Sequence, residues 1–234
     1  MNRIKVIAFD LDDTLWEVTP VLLRAEATLN QWLGEKVESL RYSVEEMRGL
    51  RHEVLAADPS LAGKVTELRR RLIEEAMLRS GIAATDAVRL SEDAMEVFLH
   101  ARNQIELFDG ALEVIQDLSR AYVLGVLSNG NADIRRLGLS RYFHFAYSAE
   151  DVGAPKPHAN LFQAALDKTG TSPAEMVYVG DDPFLDVDAA NRLGIRTVRV
   201  KREGDTRLGE TEADQTVSHV RDLPAAIDKL KATV

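Results

Sequence analysis

Between residues 4 and 9 the chain is apolar at nearly every position, and it then places Asp10, Asp12 and Asp13 within four residues. The run Ile4 to Phe9 has no helical spacing, and a run that is apolar on both faces predicts a buried strand of a parallel sheet. From about Leu107 onward the same signature returns in "YVLGVLS" (122–128), "FHFAYS" (143–148), "MVYVG" (176–180) and "IRTVRV" (195–200). Helical spacing fills the intervals near 111–120, 159–169 and 185–193. Strands alternating with helices predict an α/β fold, a parallel sheet with helices on both faces. "QTVSHV" adds a short edge strand before a helix that follows Leu223, and "KREGDTRLGETEAD" (201–214) reads as a charged surface loop.

The stretch from Pro20 to Asn103 contains no comparable strand. Its clearest element is "KVTELRRRLIEEAMLRSG", where Val65, Leu68, Leu72, Ile73, Ala76 and Met77 recur at steps of three and four and Gly81 supplies a stop. Weaker helical spacing covers 20–33, 43–57 and 85–102, with Asp58-Pro59 and Gly63 as punctuation. The opening strand therefore belongs with the later strands, and the helical block is an insertion. The expected domains are a core of 1–15 and 106–234 and an all-helical cap domain of 16–105. Ligands of open α/β sheets sit at the carboxyl ends of the strands, the end where Asp10 lies.

Composition narrows the chemistry. The 29 basic and 38 acidic side chains give a net charge of −9, which argues against a broad nucleic-acid surface. A chain without cysteine has no disulfides, no thiolate nucleophile and no Cys-based zinc site. The apolar start turns acidic too soon for a signal peptide, and no apolar run approaches the roughly 20 residues of a membrane helix. The expectation is a cytoplasmic protein without membrane or nucleic-acid partners.

Each of the other central strands also ends in polar groups. "YVLGVL" runs into Ser128-Asn129-Gly130; "FHFAYS" is followed by "GAPKP" with Lys156 between two prolines; "MVYV" runs into "GDDPFLD" with Asp181, Asp182 and Asp186. Singly, an Asp after a strand is a turn or cap, a Lys is a solvated charge and Ser-Asn-Gly is a turn. A parallel sheet brings all four groups to one edge. Carboxylates crowded there repel, by about 4 kcal/mol per pair at 4 Å and an effective dielectric of 20. An oxygen-loving cation, most simply Mg²⁺, offsets that repulsion. Lys156, in a loop stiffened by Pro155 and Pro157, offers a fixed positive charge, and Ser128 with neighbouring N–H groups offers donors to oxyanions. Metal, Lys and amide donors around a carboxylate suit phosphoryl transfer, where charge stabilisation and positioning dominate.

These residues resemble a known family. "DLDDT" is similar to the DxDxT signature of the haloacid dehalogenase-like (HAD) hydrolases, "VLSNG" to the second motif, Lys156 in "KP" to the third and "GDDPFLD" to the fourth, in order and across nearly the whole chain. The insertion resembles a type-1 helical cap, and the 25 residues between Gly130 and Lys156 leave no room for a large type-2 cap. The resemblance implies a Rossmann-like core and a Mg²⁺-dependent phosphatase that hydrolyses a small phosphorylated metabolite through an aspartyl-phosphate. Asp10 would be the nucleophile, and Asp12 would protonate the leaving oxygen and then activate water. Thr14 would hold the motif's geometry beside the substrate, Ser128 and Asn129 would bind phosphate oxygens, and Lys156 would balance Asp10 and the phosphoryl charge. Mg²⁺ would be held by Asp10, the Asp12 carbonyl and Asp181, with Asp182 and Asp186 as supporting candidates. Asp13 has no assigned role.

Within the family, "PVLLRAEATLNQWL", "VTELRRRLIEEAMLRSGI" and "SNGNADIRRLGLSRYFHF" look like the bacterial branch acting on FMN and on the riboflavin precursor 5-amino-6-(5-phosphoribitylamino)uracil. Trp16 is read either as a stacking platform for a flat ring or as packing, and Arg69, Arg70 and Arg71 either as contacts to substrate or as a solvated helix face. Alternatives on the same fold are a phosphomutase or phosphotransferase, a 2-haloacid dehalogenase and a non-catalytic phosphate-binding protein. Dehalogenases that resemble this chain lack an acid where Asp12 stands, because halide leaves without a proton.

Overall fold

A computed structural model describes the protein at all positions except residues 1, 2, 38, 39, 41–43, 233 and 234. Residue 43, at the start of one expected helix, lies outside the described residues. The chain divides into two compact units, Met1–Val18 with Ile105–Val234, and Thr19–Gln104.

The first unit is a six-stranded sheet of β1 (Val6–Phe9), β2 (Val123–Ser128), β3 (Phe145–Ser148), β4 (Met176–Gly180), β5 (Arg196–Val200) and β6 (Gln215–Val217). All pairings are parallel, in the order β3-β2-β1-β4-β5-β6. Strand order reverses at β1, which makes a crevice at the carboxyl ends of β1 and β4, the usual ligand position of such sheets. Alternation along a strand sends neighbouring residues to opposite faces. Val6, Ala8, Met176 and Tyr178 pack against Leu161, Phe162 and Ala165 of a helix at Asn160–Thr169. The intervening Ile7, Phe9, Val177 and Val179 are equally buried. The sheet is thus a Rossmann-like α/β core with helices on both faces, further helices at Ala111–Ser119 and Leu223–Ala232 packing on β2 and β5. Gly125 on β2 is required by a close approach: a Cβ there would stand 2.0 Å from the Phe145 ring.

The helical segment expected near 185–193 is present two residues earlier and in a different form: a π-helical turn spans Pro183–Asp188 and a short α-helix Ala189–Asn191 continues it. The Asp182 carbonyl accepts from both Asp186 N (3.1 Å) and Val187 N (3.2 Å), which widens the turn. The Asp182 side chain caps it through Phe184 N and Leu185 N.

The second unit is helical among its described residues: Val18–Lys36, entering from the first unit, then Val44–Ala57, Val65–Arg79 and Ala84–Arg102. Its interior is Ala25, Leu29, Ile73, Met77, Met95 and Phe98, with a satellite of Leu50, Leu61, Leu68 and Leu72. The arginine run is paired with carboxylates of this unit while staying partly in contact with water, Arg71 most of all. Arg69 pairs with Glu26 at 2.5 Å and lies 4.0 Å over the Phe98 ring. Arg70 bonds Glu67 (2.7 Å) and Glu74 (2.8 Å), and Arg71 bonds Glu74 (3.1 Å). Among the described residues no helix is long and apolar enough to cross a membrane.

Candidate active site

β1 ends at Phe9, which lies opposite Val126 of β2 and Val179 of β4. This register sets the residue after β1, Asp10, between the ends of both neighbours, and its N–H still bonds the Val179 carbonyl at 2.8 Å. The chain then turns sharply. Asp13 adopts a left-handed backbone (φ 59°), tolerable for an Asp whose side chain bonds locally, and its Oδ1 accepts from Val18 N at 3.0 Å. Asp13, which the sequence leaves without a role, is thus the turn residue that reverses the chain after Asp12. Thr14 is fully buried and donates to Asp181 Oδ1 at 3.4 Å. That bond joins the opening loop to the loop after β4 and gives Thr14 a structural partner.

Lys156 is the centre of the charge arrangement. Its ammonium donates to Asp10 Oδ1 at 2.6 Å, to Asp186 Oδ1 at 2.7 Å and to the Tyr178 hydroxyl at 2.8 Å, so all three protons are engaged. Tyr178 in turn donates to the Leu127 carbonyl at 3.0 Å. Burial works against the charged form of Lys156, but the Asp10 and then the Asp186 carboxylates outweigh it and hold the ammonium above the ordinary lysine range. Burial likewise lifts the Asp10 carboxyl well above its usual value against the pull of Lys156. It lifts Asp181 to about 6, with the Arg207 bond opposing.

The loop after β4 needs its glycine. A Cβ on Gly180 would sit 2.4 Å from Asp186 Cγ, the space that lets Asp186 fold back under the loop. There Asp186 Oδ2 accepts from Asp182 N at 3.0 Å while Oδ1 takes Lys156. Oxygens of Asp10, Asp181 and Asp186 lie within 4.8 Å of one another, all three residues buried. Three buried carboxylates are met by one ammonium at Asp10 and Asp186 and by the half-exposed Arg207 at Asp181, which leaves them short of positive charge, and an all-oxygen donor set fits a hard divalent cation such as Mg²⁺. Asp182 stands differently: its side chain caps the following turn and bonds Arg207 at 2.9 Å.

One expectation changes, and one open reading is decided. Asn129 does not present its amide to a ligand; Nδ2 donates to the Lys156 carbonyl at 3.0 Å and Oδ1 accepts from Lys156 N at 2.7 Å. Both ends of the amide hold the backbone of Lys156, whose loop it steadies. Ser128 is buried at the end of β2, and its Oγ accepts from Gly130 N at 3.0 Å. Trp16 is fully buried, with its indole N–H donating to Asp12 Oδ1 at 3.0 Å, so it offers no face to a flat ring. Instead it holds the carboxylate of Asp12.

Three residues escaped the sequence. Tyr178 carried a signal, since a tyrosine in a buried strand needs a partner for its hydroxyl. Asp188, fully buried, accepts from Glu210 N (2.7 Å), Thr211 N (2.8 Å) and the Thr211 hydroxyl (2.7 Å). Arg207 bonds Asp181 Oδ2 at 2.8 Å across 26 positions, and nothing local in the sequence points to it.

Comparison with known proteins gives the family. The family model for haloacid dehalogenase-like hydrolases matches residues 4–194. The 5-amino-6-(5-phospho-D-ribitylamino)uracil phosphatase YigB of Escherichia coli (strain K12) is 33% identical over 87% of this chain and 86% of its own length. The phosphoserine phosphatase of Thermus thermophilus is 28% identical over 94% of this chain and 97% of its own. A solved structure described as 2-haloacid dehalogenase from Pseudomonas syringae pv. Tomato DC3000 superposes with a TM-score of 0.93 at 36% identity, covering 97% of this chain and 99% of that one.

Proposed function

The chain belongs to the haloacid dehalogenase-like hydrolases, and from that premise we propose that it is a Mg²⁺-dependent phosphatase acting on a small phosphorylated metabolite through an aspartyl-phosphate on Asp10. The observation that carries the reading is the pairing of Asp10 with Lys156 at 2.6 Å, inside a cluster of three buried carboxylates, with a second acid at Asp12. Asp10, the carbonyl of Asp12 and Asp181 would hold the cation, with Asp186 beside them and Asp182 left to cap its turn. When bound, Mg²⁺ supplies positive charge to the transferring phosphoryl oxygens.

The chain's own groups divide the remaining work. Asp10 attacks phosphorus, and Lys156, fixed by Asp186 and Tyr178, balances charge on Asp10 and on the phosphoryl group. Asp12, steadied by Trp16, gives its proton to the departing oxygen and then takes one from the water that hydrolyses the acyl phosphate. Ser128 would donate to a phosphoryl oxygen; Asn129 acts one step back, by holding the loop of Lys156. The helical insertion would act as the cap that selects the substrate. FMN or the ribitylaminouracil phosphate of riboflavin synthesis is the leading substrate class, supported by the sequence likeness to YigB.

The similarity to a structure described as a 2-haloacid dehalogenase favours a second reading, halide displacement by the same Asp10. Asp12 speaks against it, because halide needs no proton to leave. The deciding experiment measures release from phosphate esters (FMN, the ribitylaminouracil phosphate, phosphoserine, sugar phosphates) and from 2-chloropropionate, with and without Mg²⁺. Mg²⁺-dependent phosphate release, strongest on a flavin-pathway ester, supports the proposal. Chloride release without phosphate release overturns it, and phosphate recovered on a second molecule instead of free in solution makes the protein a phosphotransferase.

A further inference from the structure

The stretch 201–214 is not a loose surface loop, although Leu208 at its tip is 84% exposed. It is tied to the acidic loop after β4 at several places. Asp188 holds the backbone of Glu210 and Thr211. A Cβ on Gly209 would meet the Pro183 carbonyl at 2.8 Å, so only glycine allows this approach. Buried Arg199 donates to the Asp181 carbonyl (3.1 Å), the Arg207 carbonyl (3.2 Å) and the Asp205 carboxylate (2.8 Å), which joins both loops to one side chain. At the end of this bracing stands Arg207, half exposed, with Nη2 on Asp181 Oδ2 (2.8 Å), Nη1 on Asp182 Oδ2 (2.9 Å) and Nε on Asp205 Oδ1 (3.0 Å).

Asp181 is therefore shared. Its Oδ1 faces Thr14 at 3.4 Å and its Oδ2 is held by Arg207. We infer that Arg207 is a positioning residue that sets the affinity of the Asp10–Asp181–Asp186 cluster for a divalent cation, fixing the orientation of Asp181 while its positive charge weakens binding of the ion. The inference rests on the cation-binding reading above. Two effects oppose each other. Holding one oxygen pre-orders the other, an advantage of a few-fold, because one short side chain has few rotamers to lose. A fixed positive charge across one carboxylate from a doubly charged ion costs more, roughly tenfold in a binding constant even with water-like screening. Repulsion wins, and the arginine keeps the ion exchangeable. A role confined to stabilising the loop would act in the opposite sense, since a loosened Asp181 binds more weakly.

The test is calorimetric titration of the whole protein with MgCl₂, comparing wild type, Arg207→Gln and Arg207→Lys, with circular dichroism as the check on folding. Arg207→Gln keeps an amide donor and removes the charge, and its Kd for Mg²⁺ should fall about tenfold, by an amount that shrinks at high ionic strength. Arg207→Lys should stay near wild type. A folded Arg207→Gln protein that binds Mg²⁺ no more tightly than wild type, or more weakly, overturns the inference and leaves the cation site standing. A wild-type protein that binds no Mg²⁺ overturns the cation reading itself and this inference with it.

Discussion

Arg70 and Arg71 of the helical unit find their carboxylate partners three and four residues away on their own helix, whereas Lys156 of the α/β unit finds its partners 30 and 146 residues away. The local pairs are partly wet, their strengths are those of ordinary helix neighbours, and they hold the helix itself. The distant ones are buried, saturate one ammonium together with the Tyr178 hydroxyl, and depend on β3, β2, β1 and β4 lying side by side in parallel, because Lys156 lies in the loop after β3. Burying charges costs free energy that apolar packing would not, so a buried triad assembled from three separate segments is weak evidence for stability and makes the site a candidate for chemistry. The same contrast holds for glycine. Gly49 in the helical unit has nothing within 4 Å of a Cβ position, while Gly180 has the Asp186 carboxylate there.

The contrast orders the expected effects of substitution. Lys156→Ala strands Asp10 and Asp186 without their shared cation and should cost about 3–5 kcal/mol in urea unfolding, together with essentially all turnover. Gly180→Ala should cost about 1–3 kcal/mol by displacing Asp186, and the loss of activity should exceed what the stability change alone explains. In the helical unit the matching change has the opposite sign. Gly49→Ala, on an open helix surface, should add up to about 1 kcal/mol and leave kcat/KM unchanged. Arg71→Ala is the smallest of the four, about 0.5 kcal/mol or less, because Arg70 still serves Glu74. An Arg71→Ala protein that folds but loses turnover would break the comparison, by showing that a locally paired arginine also meets the substrate.

The difference in partner distance also explains what could be read from the chain. The sheet was legible because apolar runs at Val6–Phe9, Val123–Ser128 and Met176–Gly180 end abruptly in polar residues, and parallel pairing forces those ends together. Asp10, Asp181 and Asp186 follow from that rule, and Lys156 from the run at 143–148 that precedes its loop. What side chains do after arriving at the edge was less legible. Asn129 and Ser128 look alike as donors after a strand, yet only the path of the Lys156 loop decides that both ends of the Asn129 amide are engaged. Trp16 beside an acidic loop reads equally as platform or as packing, and its full burial with the indole N–H satisfied by Asp12 decides for packing. Arg207 sits in a stretch dense in charges of both signs, the pattern of solvated surface, and only the bracing by Arg199 and Asp188 brings it to Asp181. The helical segment expected near 185–193 begins as a π-helical turn because capping by Asp182 and the fold-back of Asp186 set a wider turn than the apolar spacing alone implies.

The central claim is that Asp10 carries the phosphoryl group during turnover. It is tested most directly by mixing the protein with Mg²⁺ and a phosphate ester that it hydrolyses, quenching in acid within a turnover, and mapping phosphorylated peptides by mass spectrometry. The account predicts an acid-stable, base-labile phosphoryl group on Asp10, absent from Asp10→Asn protein treated in the same way. Turnover that persists in Asp10→Asn, or a phosphoryl group found on any other residue, would contradict it.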